Sequence, residues 1–273
     1  MYSAADKKRT TQVTISTLAK MKREAEKIVM LTSYDASFAK LCSDVGVDVI
    51  LVGDSLGNVI QGKKTTIPVT LDEIIYHTNC VMNGNETAFV IADMPFMSYA
   101  NLNDGLDNAG RIMKESGAHM VKLEGGKELV ELVKAMAVRG IPVCGHLGLM
   151  PQSVHKMGGY KVQGREQEEA DHMVAEALAL QEAGIDMLVL ECVPAVLAKR
   201  IAAELAIPVI GIGAGVDCDG QVLVLQDMLA ITPGKRPKFS KDFMAGAGSI
   251  AEAMAAYVKQ VKNKEFPAQE HTF

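Results

Sequence analysis

Seven polar side chains stand where apolar runs end. Asp54 and Ser55 follow VDVILVG, Asp93 closes AFVIAD, Lys122 and Glu124 lie in HMVKLE, His146 in IPVCGHL and Glu191 in DMLVLEC. A single acid at such a place commonly caps the next helix. Four acids and a lysine at one place are harder to explain that way, because clustered carboxylates repel unless a cation or proton sits among them. Lys122 and Glu124 are two residues apart, so on a strand they share one face and Val121 and Leu123 take the other. Asp54, Asp93 and Glu124 are oxygen ligands of the kind a hard cation takes. Mg²⁺ keeps several waters and accepts few carboxylates, which leaves room for a chelating substrate. No His–His or Cys–Cys pair in the set has the spacing zinc prefers. The metal-free alternative is a rim of Asp/Glu–Lys ion pairs. Lys122 supplies positive charge for an anionic group, with a Schiff-base lysine as the competing role. Glu191 ends an apolar run, a setting suited to proton transfer. His146 serves equally as an accessory site residue or as a hydrogen-bonded core histidine.

The elements that must carry these residues are short, nearly continuous Val/Ile/Leu runs at 28–34, 47–53, 88–93, 119–124, 141–147, 186–192, 207–213 and 222–227. Such runs mark parallel strands covered on both faces. Amphipathic stretches alternate with them, and Gly46, Gly117, Gly140 and Gly184 stand where helix C-caps belong. Eight strands in this alternation predict an α/β fold, a (β/α)8 TIM barrel, with an extra N-terminal helix in TLAKMKREAEK closing its bottom. Only residues 214–221 separate the last two strands, so a short or degenerate seventh helix is expected there, and 241–264 reads as a final long helix. The long connections 54–70 and 147–167 both leave the C-terminal strand ends, where barrel enzymes place their chemistry. The glycines of IPVIGIGAG suit either a phosphate-cradling loop or tight packing.

The composition fits one catalytic domain over 1–273, with 1–13 as a flexible extension. Of 273 residues 48% are hydrophobic, which excludes a disordered chain, and a net charge of −5 without a basic face argues against nucleic-acid binding. No apolar run approaches the roughly 18–20 residues of a membrane span, and the polar start lacks a signal-peptide core. Five scattered cysteines without CxxC spacing read as buried reduced thiols and point to the cytoplasm.

Ordered segments along nearly the whole chain resemble the ketopantoate (3-methyl-2-oxobutanoate) hydroxymethyltransferase family. They include TSYD (32–35), LVGDSLGNVIQG (51–62), TIPVTLDEIIYHT (66–78), ADMPFMSY (92–99), VKLEGG (121–126), PVCGHLGLMPQSV (142–154), GGYKVQGR (158–165), LVLECVP (188–194) and IPVIGIGAG (207–215). The sequence departs where that family usually carries a glycine near Ala230. The resemblance implies a barrel enzyme with one Mg²⁺ per subunit. It would move a one-carbon unit from 5,10-methylenetetrahydrofolate to 3-methyl-2-oxobutanoate through a Mg²⁺-stabilised enolate, giving 2-dehydropantoate for pantothenate and coenzyme A synthesis. By the same resemblance Asp54, Asp93 and Glu124 match metal-site acids. Asp54, Ser55, Asp93 and Lys122 match ketoacid contacts, Glu191 matches the proton acceptor, and the assembly is a homodecamer. A related barrel of the isocitrate lyase type would need a KKCGH-like cysteine loop, which is absent. A barrel without catalysis would be expected to lack site groups that are present here.

Overall fold

The computed structural model describes residues 9–232 and 234–273. Eight parallel strands close on themselves in sequence order: β1 (Ile28–Thr32), β2 (Val49–Val52), β3 (Phe89–Asp93), β4 (Met120–Glu124), β5 (Val143–Gly148), β6 (Met187–Glu191), β7 (Val209–Ile212) and β8 (Gly220–Leu223). β8 returns to β1 in the register Ile28↔Gly220 to Leu31↔Leu223. This is the expected (β/α)8 barrel.

Strand periodicity divides the core in two. Val29, Leu31, Ile50, Val52, Val90, Val121 and Leu123 point outward into the helical layer. Ile28, Met30, Val49, Leu51, Phe89, Ile91, Met120, Cys144, Met187, Val189 and Ile210 fill the interior. The extra helix forms over Ile15–Arg23, where Thr14 and Thr17 cap each other, and Leu18 and Met21 are buried in the interior cluster. It therefore plugs the N-terminal end of the barrel, as its position in the sequence suggests.

Residues 1–8 of the expected flexible extension lie outside the described residues. Residues 9–13 are held: Val13 N donates to Thr87 O at 2.8 Å, Gln12 Nε2 to Ala88 O at 2.7 Å, and Arg9 pairs with the fully buried Asp48. Asp48 also accepts from Val29 N and pairs with Lys262 at 2.8 Å, which joins the start of the chain to the last helix, Ile250–Lys262.

Three expectations change. The eighth strand begins at Gly220 and ends at Leu223, and 225–228 is a short helix. Gly220 reads as a turn residue, but it pairs with both neighbouring strands so closely that a Cβ would stand 2.4 Å from Ile28 O. Between β7 and β8 there is no helix among the described residues, only turns through residues 213–219. The final helix starts at Ile250, where the Ser249 side chain accepts from Glu252 N, because the glycines at 246 and 248 break the run before it. Its buried Tyr257 hydroxyl lies 3.0 Å from both Met30 O and Gln221 O and fastens this helix to the β8–β1 seam. No helix among the described residues is long and apolar enough to cross a membrane. All five cysteines are free, and every one but the partly buried Cys80 is buried.

Ala230, exposed behind the short helix Leu225–Met228, has φ +55, in the left-handed region that favours glycine. Ala230→Gly is expected to stabilise the chain by about 0.5–1 kcal/mol once the greater backbone freedom of glycine in the unfolded chain is subtracted. Urea denaturation of the two proteins checks this, and a lower midpoint in the variant would contradict it.

Candidate active site

The interior alternation that packs apolar residues low in the barrel delivers the charged residues to its mouth. Asp93 is the next inward position after Phe89 and Ile91. Lys122 and Glu124 follow Met120, His146 follows Cys144, and Glu191 follows Met187 and Val189. Neighbouring strands set Asp93 beside Lys122 and Glu124 beside His146. Asp54 and Ser55 arrive differently, from the turn beyond β2. Gly53 makes the close approach possible, since a Cβ there would meet Ser55 Oγ at 2.9 Å and Asp93 Oδ2 at 3.4 Å. Asp54 N donates to that same Asp93 Oδ2 at 2.9 Å.

All seven expected residues line one small cavity of about 100 Å³, together with Thr32, Leu51, Val189, Ile212, Val222 and Phe239. Lys122 Nζ lies 2.6 Å from Asp93 Oδ1 and 4.0 Å from Glu124 Oε1. His146 bridges two acids, with Nδ1 3.5 Å from Glu124 and Nε2 3.4 Å from Glu191. Neither ring nitrogen makes an aligned hydrogen bond, so these contacts are electrostatic. Ser55 Oγ is 2.8 Å from the hydroxyl of the buried Tyr34.

Buried charge dominates the chemistry of the mouth. Burial raises the Asp54 carboxyl to about 8, with Asp93 and Glu124 acting in the same direction against Lys122 and the Gln152 amide. Burial also opposes the charge on Lys122, but Asp93, Glu124 and Asp54 outweigh it and keep the ammonium charged. That favours an electrostatic role over a Schiff base, which needs a neutral amine. For Glu124, burial favours the proton, yet His146, Lys122 and the Gln152 N–H hold the carboxyl below its usual range. Burial and Lys122 oppose a charge on His146, and Glu124 and Glu191 overcome them, raising it to about 9. The imidazole lies between two acids that favour its charged form, which leaves it poorly placed to act as a base.

Four acids therefore face one lysine and one imidazole. Burial, with Asp93 and Glu124 acting in the same direction, favours the proton on Asp54, and the excess of acids over cations fits a divalent cation at this place. Asp93 Oδ1 fits too, being buried without an aligned hydrogen bond although Lys122 is near. Among the described residues no group of three His, Cys, Asp or Glu side chains is arranged as a ready metal site. A cation here would rest on few protein oxygens, which suits Mg²⁺ and leaves positions for other ligands.

Sequence reasoning missed Gln152, Tyr99 and Tyr34. Gln152, in the turn after β5, gives its backbone N–H to Glu124 Oε2 at 3.0 Å and its side-chain amide to Asp54 Oδ2 at 2.9 Å. The Tyr99 hydroxyl, from the loop after β3, donates to Gln152 Oε1 at 2.6 Å. These residues lie in the segments MPQSV, FMSY and TSYD. No strand or helix period governs where a loop residue points, so only their place in those segments drew notice.

Fold and mouth together define a class: a (β/α)8-barrel protein whose acid-rich strand ends converge on one small cavity. Solved structures share the fold. Phosphonopyruvate hydrolase superposes with a TM-score of 0.62 at 12% identity, covering 92% of this chain and 95% of that one. Phosphoenolpyruvate phosphomutase from Streptomyces platensis superposes at 0.58 and 15% identity over 78% of this chain and 82% of that one. Sequence comparison goes further. The family profile described as ketopantoate hydroxymethyltransferase matches residues 12–269. The 3-methyl-2-oxobutanoate hydroxymethyltransferase of Alkalilimnicola ehrlichii is 58% identical over 273 residues, covering 100% of this chain and 99% of that protein. The protein of the same name from Idiomarina loihiensis is 58% identical over 264 residues, covering 97% and 99%. The chain belongs to the ketopantoate hydroxymethyltransferase family, a family of transferase enzymes.

Lys122→Met removes the positive charge closest to Asp93 and leaves buried acids without compensation. Loss of one partner of a buried pair is expected to lower stability by about 3–5 kcal/mol. Chemical denaturation in metal-free buffer measures it, and a midpoint equal to that of the wild type would show that the pair contributes nothing.

Proposed function

We propose that the mouth transfers a hydroxymethyl group to 3-methyl-2-oxobutanoate. The ketoacid, 5,10-methylenetetrahydrofolate and water would give 2-dehydropantoate and tetrahydrofolate, a step of pantothenate synthesis. Family membership supports the activity. The observation that carries the site assignment is the convergence of Asp54, Ser55, Asp93, Lys122, Glu124 and Glu191 on one cavity. Asp54, Asp93 and Glu124 would hold the Mg²⁺. When bound, the cation supplies a Lewis acid that makes the proton on C3 of a 2-oxo acid more acidic.

The chain's own residues do the rest. The Lys122 ammonium binds the anionic end of the ketoacid and stays charged through the reaction, because Asp93 and Glu124 face it. Ser55, oriented by the Tyr34 hydroxyl, is placed to hydrogen-bond the same end. Glu191 enters from the opposite side of the ring, beside the apolar Val189 and Ile212, and takes the C3 proton. Its contact with the imidazole of His146 steadies the carboxylate in position. The apolar wall of Leu51, Val189, Ile212 and Val222 suits the isopropyl group and excludes water from the carbanion. Water would break the two C–N bonds to the methylene carbon of the folate, releasing it at the formaldehyde level and leaving tetrahydrofolate. The carbanion would add to that carbon while its oxygen takes a proton to become the hydroxyl. The connections 54–70 and 147–167 stand at the mouth to cover that cosubstrate. Homodecamer assembly and cytoplasmic residence belong to this reading through the family alone.

Incubation with Mg²⁺ and 3-methyl-2-oxobutanoate in D₂O, without folate, should replace the C3 proton by deuterium, followed by NMR. Glu191→Gln should slow this exchange by about 10²–10⁴-fold, the usual contribution of a general base, while ketoacid still binds. Undiminished exchange in that variant would move the base elsewhere. A companion change, Asp93→Asn, should weaken Mg²⁺ and ketoacid binding together in calorimetry, and an unaltered Mg²⁺ affinity would remove Asp93 from the metal set.

A further inference from the structure

Gln152 takes no part in the chemistry just described, yet it contacts two of the site's acids, Asp54 and Glu124. It is 5% exposed, and every polar atom of its side chain is used. The amide nitrogen donates to Asp54 Oδ2 at 2.9 Å and to Met94 O at 3.0 Å, while the amide oxygen accepts from Tyr99 OH at 2.6 Å. Its backbone N–H donates to Glu124 Oε2 at 3.0 Å. One residue therefore holds two acids that come from different strands.

The orientation of this amide is fixed by chemistry. Met94 O is a backbone carbonyl and accepts only, so it requires the NH₂ group on its side. The hydroxyl of Tyr99 gives its proton to the other side. Reversing the amide would set its oxygen against Met94 O, opposing acceptor to acceptor. Gln152 lies in the turn Pro151–Ser153, part of the connection that follows β5. When that turn is seated, Asp54 and Glu124 each receive a donor. Displacing it would take a donor from both acids at once and leave their mutual repulsion less relieved.

We propose that Gln152 is a positioning residue of this reaction. It holds the Asp54 and Glu124 carboxyls in place for a divalent cation through one donor to each, and so ties the seating of the segment after β5 to the assembly of the metal site. The proposal rests on the function proposed above. It assigns the connection after β5 a part in building the site as well as covering it. Outer partners of metal ligands typically change metal affinity by about 10–100-fold when removed.

The test uses Mn²⁺ as the probe, with free ion measured by electron paramagnetic resonance, on the full chain and on Gln152→Met, which keeps the side-chain length but has no amide. The variant is expected to melt as a folded barrel and to bind Mn²⁺ about 10–100-fold more weakly. Backbone amides of residues 149–157 should exchange with deuterium faster than in the wild type. The rate of C3 exchange should partly recover with excess Mn²⁺, which a general loss of structure would not allow. A folded variant that binds Mn²⁺ as tightly as the wild type overturns the proposal, while the function proposed above stands. A wild type that binds no Mn²⁺ overturns the metal reading and this inference with it. If Gln152→Met does not fold, Gln152→Glu decides, because it keeps the side-chain length and the oxygen that faces Tyr99 but has no amide donor for Asp54. Tyr99→Phe accompanies it as a variant that loses both the Gln152 contact and the weaker contacts of the hydroxyl with the Glu124 backbone. Weaker Mn²⁺ binding by Gln152→Glu supports the proposal, and unchanged binding overturns it.

Discussion

The ion pair between Lys122 and Asp93 is the contact on which the mouth depends. Both groups are almost completely buried, at 4% and 2% exposure, so each has lost most of the water that would stabilise its charge. Such a pair is favourable only with close geometry and further partners for the remaining lone pairs and protons. The 2.6 Å separation brings the charges close although Asp93 Oδ1 has no aligned hydrogen bond, and the backbone N–H of Asp54 partners the other Asp93 oxygen. The conformation of the turn beyond β2 is thus tied to a side chain of β3, and that turn carries both Asp54 and Ser55. Glycine at 53 is the local condition, since a side chain there would crowd the approach.

A single alternation serves two purposes along each strand. Low in the barrel the inward positions of β3 to β6 are Phe89, Ile91, Met120, Cys144, Met187 and Val189, which pack as an apolar interior. One or two pleats higher the same rows present Asp93, Lys122, Glu124, His146 and Glu191. The apolar storey lowers the local dielectric beneath the charged one, and this is what strengthens each electrostatic contact above it. Stability and chemistry occupy the same ladder at different heights, so moving a strand by one residue would damage both.

The same alternation explains what could be read in advance. Residues on strands obey a period of two, so Lys122 and Glu124 could be assigned to the interior from spacing alone, with Val121 and Leu123 outside. The barrel followed from counting apolar runs. Gln152, Tyr99 and Tyr34 escaped because loop side chains follow no period and are aimed by tertiary contacts such as the Gln152 amide on Asp54. The start of β8 escaped for a related reason: Gly220 has a turn-former's identity but the close neighbours of a strand residue. The helix expected after β7 was inferred from the general pattern of the fold, whereas residues 213–219 are too few to form one and still cross between adjacent strands.

The stopper formed by Leu18 and Met21 has a consequence for the order of events. With the lower end of the barrel filled, the cavity is a blind well whose traffic must pass the strand C-termini. Whatever rests deepest, among Leu51, Val189 and Val222, has to arrive before anything that covers the rim and can leave only after it. A plug at one pole of the barrel thus turns all traffic to and from the cavity toward the opposite pole.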